Sequence, residues 1–203
     1  GRGKLVVTLG TALVAYRHAG LAPGPFGAAA AWGPYPDGGY YEMAVGNTGC
    51  AALDWACQRL SPHDPSALIR AAEKGLQRTN AQHPSPVLFY PDRIGSDRAW
   101  TLCVDLENMG QAVLEGITFR LRQLVTEEFP RGIHWEQLQV TGGGSQNPHW
   151  LQLVANVLNC PVRRSGGDAL LGAAMMALPS IAPPQELNAA EFRPDPAGAR
   201  HYA

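Results

Sequence analysis

Apolar positions change their period along the chain, and the changes mark the elements. Lys4 to Gly10 carries the β-favouring run Leu-Val-Val-Thr-Leu, Gly10-Thr11-Ala12 makes a turn, and Leu13 to Arg17 returns as a second strand, so the chain opens with a hairpin. Residues 19 to 39 are crowded with Gly, Pro and Ala and predict an irregular excursion. Tyr40 to Val45 is a third strand. Gly46-Asn47-Thr48-Gly49 then leads into a helix over Cys50 to Leu60, with Asn47 or Thr48 as its natural cap.

Helical periodicity dominates the middle. Asp64-Pro65 opens a helix to about Thr79 whose inner face is Leu68, Ile69, Ala72 and Leu76. Pro86 to Tyr90 predicts a short apolar strand, and Pro91 to Trp100 a polar loop in which Asp97 and Arg98 are solvated, structural or substrate-directed. Asn108 caps the longest helix, running to about Phe129, with Met109, Ala112, Val113, Ile117, Leu121, Leu124 and Val125 as its buried stripe. Glu115 and Arg122 beside that stripe predict an ion pair within or between helices. Cys160 to Arg164 predicts an edge strand with its proline at the start. Asp168 caps a last helix, Ala169 to Leu178, and the tail from Pro179 wraps the surface or frays.

Composition narrows the class. With 203 residues and a net charge of −1, the chain buries a real core as one domain of residues 1–178 with a tail of 179–203, and it has no basic field to draw nucleic acid. No apolar run reaches membrane-spanning length, and the start Gly1-Arg2-Gly3-Lys4-Leu5 is not a signal peptide. Cys50, Cys57, Cys103 and Cys160 lack zinc-knuckle spacing and predict buried free thiols in a reducing cytosol. Opening almost directly on a strand, without an initiator methionine, the sequence has the look of a piece of something longer.

Candidate chemistry gathers where Leu138 to Val140, a short β run, enters Gly142-Gly143-Gly144. Asn147 as N-cap and Pro148 at the first helical position open a helix with Leu151, Val154, Ala155 and Leu158 on one face. Strand, glycine turn and helix N-terminus together suit a phosphate or the flat face of a nucleotide, and equally a plain tight connection. The loop is not a Walker A sequence, since no Gly-Lys-Ser/Thr follows, and Asn147 stands where a dinucleotide fingerprint needs its third glycine. The Gly10-Thr11 turn offers amides and a hydroxyl to a terminal phosphate, or is simply a hairpin turn.

The motifs in order resemble the C-terminal domain of the FGGY carbohydrate kinases, in the xylulokinase and ribulokinase manner. Leu5-Val-Val-Thr-Leu-Gly10-Thr11-Ala12 is similar to that family's Gly-Thr-Ser strand and turn. Pro91-Asp-Arg-Ile-Gly95-Ser96-Asp97-Arg98 resembles its Pro-Tyr-Leu-x-Gly-Glu-Arg loop, with Asp97 for Glu. Gln111-Ala112-Val113-Leu114-Glu115-Gly116-Ile117 resembles its Arg-Ala-x-Leu-Glu-Gly helix, with Gln111 for Arg. Thr141 through Asn147 and Trp150 resembles the adenosine loop, Asp168 through Ala177 the closing helix, and Phe192-Arg-Pro-Asp-Pro with Tyr202 the terminal segment.

The resemblance implies an α/β, ribonuclease-H-like domain of the actin, hexokinase and sugar-kinase superfamily, with a mixed sheet flanked by helices. It implies a cytoplasmic kinase moving the γ-phosphoryl of Mg2+-ATP to a sugar hydroxyl. Gly10 and Thr11 would approach the γ- and β-phosphates; Gly142, Gly143, Gly144 and Asn147 the adenosine and α-phosphate, with Ser145 adjacent. No metal ligand is implied within the chain, and the catalytic aspartate and most sugar contacts would belong to an N-terminal domain, leaving these residues alone inactive. The Gly46 to Gly49 segment points to a ketopentose, xylulose or ribulose, while glycerol, gluconate-like and deoxyketose acceptors and a homodimer stay open. Two other readings compete: a non-catalytic nucleotide-binding relative with a regulatory or assembly role, and a Rossmann-type oxidoreductase using Asp168 as its acidic residue.

Overall fold

The computed structural model describes residues 4–21, 26–27, 30–35, 38–78, 85–129, 135–165, 173–174, 177–178 and 190–203. Among them the chain forms a seven-stranded mixed sheet with helices against it. The opening hairpin is β1 (Lys4–Leu9) and β2 (Leu13–Gly20), paired antiparallel with Val7 opposite Ala15. In β1 Leu5, Val7 and Leu9 are fully buried while Val6 and Thr8 are half-buried, the period of two that a strand with one core face requires.

Next come β3 (Ala31–Pro34) and β4 (Tyr40–Gly46), then the helices α1 (Cys50–Leu60), α2 (Pro65–Arg78) and α3 (Leu106–Glu127). The second half adds β5 (Gln137–Thr141), α4 (Pro148–Leu158), β6 (Val162–Arg164), β7 (Glu191–Phe192) and α5 (Pro196–Tyr202). The sheet order is β3-β4-β2-β1-β5-β6-β7. β5 runs parallel to β1, with Thr8 opposite Thr141, and β6 runs parallel to β5. All seven apolar positions of the α3 stripe are buried, and α3 forms the centre of the core between the sheet, α1 and α2.

Several expectations need correction. The excursion over 19–39 is not wholly irregular, because Ala31–Pro34 pairs with β4 as an edge strand. Four strands, not three, therefore precede the first helix. Neither Asn47 nor Thr48 caps α1: the cap position is Gly49, and the Gly10 and Thr11 carbonyls accept from the N–H groups of Gly49, Cys50 and Ala51 at 2.7–3.2 Å. With those orphan donors satisfied by the hairpin tip, no side-chain cap is needed. Asp105, not Asn108, caps α3, accepting from Asn108 N–H at 3.0 Å.

Pro86–Tyr90 makes only an isolated bridge, Phe89 to Trp100, instead of a strand. β6 is not an edge, since β7 pairs antiparallel on its free side. Glu115 and Arg122 do not pair; Glu115 accepts from Gln111 Nε2 (2.9 Å) and the Tyr202 hydroxyl (2.8 Å), and Arg122 donates to the Tyr202 carbonyl (2.6 Å). All four thiols are free, but Cys103 is exposed. Asp168 and most of the 169–178 helix lie outside the described residues; beyond them, α5 packs on α4.

Candidate functional site

Parallel pairing of β1 with β5 decides where the site is. Both strands end at the same edge of the sheet, so the turn after β1 and the bend after β5 leave side by side although some 130 residues separate them. Ligands of open α/β sheets sit beyond the carboxyl ends of such strands. Here that space is a cavity of about 580 Å³, within the usual range for small-molecule sites. Its walls are the hairpin tip (Leu9, Gly10, Thr11), the bend (Gly143, Gly144, Gln146, Asn147), and residues of α1, α2, α3 and α4.

The bend is a 3-10 turn, Gly143–Gln146, entered through Gly142 at φ 90°. A Cβ on Gly142 would lie 2.6 Å from the Leu9 carbonyl oxygen, so both dihedral and space demand glycine. A Cβ on Gly144 would meet Leu9 Cβ and Trp150 Cζ3, each at 2.9 Å. Gly143 faces open space and is exposed, and its N–H and that of Gly144, at the head of the turn, have no intrahelical acceptor. Ser145 is buried, and its hydroxyl donates to the Gly142 carbonyl at 2.7 Å. Gly142 and Ser145 therefore brace the bend from behind, while Gly10, Thr11, Gly143, Gly144 and Asn147 reach the cavity.

Asn147 does two jobs. Its Oδ1 accepts from Trp150 N–H at 3.1 Å, capping α4, and its Nδ2 donates to Glu73 Oε1 on α2 at 2.9 Å. Trp150, 2 % exposed, floors the cavity and donates from Nε1 to Thr118 Oγ1 at 3.0 Å, which in turn donates to the Leu114 carbonyl at 2.7 Å. Sequence reasoning did not single out Asp54 and Glu73, which line the cavity from α1 and α2. A signal existed for Glu73, which stands one helical turn after Ile69 on the inner face of α2. Cys50 also lines the wall; burial first, then the Asp54 charge, pushes its thiol up to about 11, so it stays a protonated, unreactive group.

Among the described residues that line the cavity, none is Lys or Arg. On the wall formed by the bend, the groups offered to a negative ligand are the backbone N–H groups at its head and the N-terminal end of α4. The segment resembling the family's Pro-Tyr-Leu loop lies off the cavity: Asp97 pairs with Arg59, and Asp92 accepts from Thr48 Oγ1 at 2.9 Å, while Arg98 is exposed. Among the described residues no cluster of three metal-ligating side chains occurs, and no helix is long and apolar enough to cross a membrane.

An antiparallel opening (β3-β4-β2-β1) followed by the parallel strands β5 and β6, with a glycine turn at the carboxyl end of each strand of the central parallel pair, contradicts the doubly wound oxidoreductase and gives the ribonuclease-H-like fold. The comparisons take the assignment one step further. The chain belongs to the FGGY family of carbohydrate kinases, whose C-terminal domain matches residues 5–180. It is 26 % identical over 163 residues to the xylulose kinase of Escherichia coli (strain K12), covering 73 % of this chain and 33 % of that one. Its structure is similar to ligand-bound xylulose kinase from Lactobacillus acidophilus (TM-score 0.75, 19 % identity, 98 % of this chain and 44 % of that one). It also resembles Plasmodium falciparum glycerol kinase with ADP (TM-score 0.63, 20 % identity, 86 % and 38 %). The chain thus spans less than half the length of these relatives.

Proposed function

We propose that this chain is the nucleotide-binding half of an ATP-dependent kinase that transfers the γ-phosphoryl group to a sugar hydroxyl, with a ketopentose, xylulose or ribulose, as acceptor. One observation carries the reading: Thr11 and the Gly143–Gly144 bend line a single cavity at the carboxyl ends of two parallel strands. The xylulose kinase relative supports the ketopentose, and the ADP named with the Plasmodium glycerol kinase supports the nucleotide.

Phosphoryl transfer passes through a loose, highly charged transition state, so its catalysis is chiefly positioning and electrostatics. In this reading Gly10 and the Thr11 hydroxyl hold the terminal phosphates at the hairpin tip. Gly143, Gly144 and Asn147 hold the α-phosphate and the adenosine, while Gly142 and Ser145 keep the bend in shape. A magnesium ion carried on the phosphates would offset part of their charge. Of the two lining carboxylates Asp54 stands beside Cys50, whose thiol donates to the Leu9 carbonyl at the hairpin tip, so it is the hard oxygen group that would face such an ion. The base that accepts the sugar proton, and the groups that choose the sugar, belong to a domain that closes over this cavity and is not among these 203 residues.

Titration calorimetry of the chain with ADP, ATP and NAD tests the site, and coupled assays with xylulose, ribulose and glycerol test the division of labour. ADP and ATP should bind, NAD should not, and no sugar should drive ATP turnover. Turnover at about 1 s⁻¹ or faster, the ordinary enzymatic range, would show that the base lies within the chain after all.

A further inference from the structure

We infer that Glu73 is a specificity-determining residue of the cavity, a fixed acceptor that reads a hydrogen-bond donor on the nucleoside half of the ligand; this rests on the nucleotide reading above. Glu73 and Ile69 stand one turn apart on α2, and both line the cavity. The carboxylate is already held. Asn147 has its amide orientation decided by two bonds, Oδ1 to the Trp150 N–H and Nδ2 to Glu73 Oε1. The second oxygen of Glu73, Oε2, makes no hydrogen bond to a described residue. A carboxylate accepts and cannot donate, so the cavity presents a pre-positioned acceptor beside the apolar Ile69, Leu53, Leu114 and Trp150.

The charge of Glu73 also orients the ligand. A phosphate beside Glu73 would meet like charge with no Lys or Arg among the described lining residues to relieve it, whereas the hairpin tip offers a hydroxyl, and the Asp54 carboxylate on that side would be offset by the cation the phosphates carry. Phosphates therefore belong at Thr11, and the nucleoside belongs against α2. Its donors are the 6-amino group of the base and the ribose hydroxyls. A site built around a charged acceptor rejects analogues lacking the donor by about ten- to a hundredfold.

Calorimetry with ADP, purine riboside 5′-diphosphate (no 6-amino group), and 2′- and 3′-deoxy-ADP tests this. Wild type should bind ADP about ten- to a hundredfold tighter than one of the three analogues, and that analogue identifies the donor. Glu73→Gln keeps an oxygen for Asn147 and puts an amide donor in place of Oε2, so the preference should collapse to about one while the thermal midpoint stays put. A merely structural Glu73 would weaken all four nucleotides together and leave their ratios unchanged. Equal affinities in wild type, or a preserved preference in Glu73→Gln, would overturn the inference alone. Failure of every nucleotide to bind would overturn it together with the proposed function.

Discussion

The two glycines at the head of the bend differ in what a methyl group would touch, and that difference separates a folding role from a binding role. A Cβ on Gly144 lands 2.9 Å from both Leu9 Cβ and Trp150 Cζ3, and those neighbours are 0 % and 2 % exposed, so they cannot swing aside. Overpacking of this kind costs about 1–3 kcal/mol. For a domain of this size that lowers the melting temperature by about 2–4 °C per kcal/mol. Gly143 meets nothing within 4 Å and lies on the cavity wall. Gly143→Ala should therefore change stability by no more than about 0.5 kcal/mol. Its methyl group, however, would intrude on the cavity proposed for the nucleotide, so ADP affinity should fall by about 5- to 150-fold, the same overpacking transferred to the ligand. Scanning calorimetry and ADP titration of both variants give the four numbers. ADP binding to Gly143→Ala at wild-type affinity would mean that the bend does not face the ligand.

Three further outcomes follow from buried polar groups. Thr118→Val keeps the side-chain shape but strands the buried Trp150 N–H, and should cost about 1–3 kcal/mol in urea denaturation; a neutral result would remove Thr118 as support of the cavity floor. Arg17→Met removes the 2.5 Å partner of the fully buried Glu42 and should cost about 3–5 kcal/mol, whereas replacing both residues by apolar ones should cost less. Glu115 is held above the ordinary carboxylate range, chiefly by burial, so the folded state keeps a proton that the unfolded chain releases near about pH 4.3. Its stabilising contribution is full below that pH and declines as pH rises through the raised folded value. Glu115→Gln should match wild type near about pH 4 and exceed it at about pH 8; parallel pH curves would refute the sign.

Elements whose apolar spacing matches their own period were legible along the chain. The stripe from Met109 to Val125, the face from Leu151 to Leu158 and the Leu5–Leu9 strand depend on contacts that their own pattern announces. The bend was legible as well, because Asn147 followed by Pro148 is a local signal for a helix start. What escaped is what distant partners decide. β3 has no alternation of its own and exists because β4 offers it an edge. Asn47 and Thr48 lost the α1 cap to carbonyls of Gly10 and Thr11, some forty residues earlier in the chain. The β6 edge was closed by Glu191–Phe192, a strand too short to read. Glu73 escaped for the same reason, since only folding brings Asn147 to it, 74 residues away.

These long-range bonds also explain how a cavity built from glycine turns can be rigid. Glycine turns are flexible when isolated, yet each one here is tied to a helix. The hairpin tip gives its carbonyls to the α1 N-terminus, and the bend is fixed through Asn147 to α2 on one side and α4 on the other. Both helices pack on α3, whose Thr118 and Leu114 hold the Trp150 floor from beneath. Each wall is thus referenced to one central helix rather than to its own loop. In the proposed function, backbone amides would serve as the anion-binding surface with no Lys or Arg among the described lining residues, because their positions are set before a ligand arrives and little reorganisation is left to oppose binding.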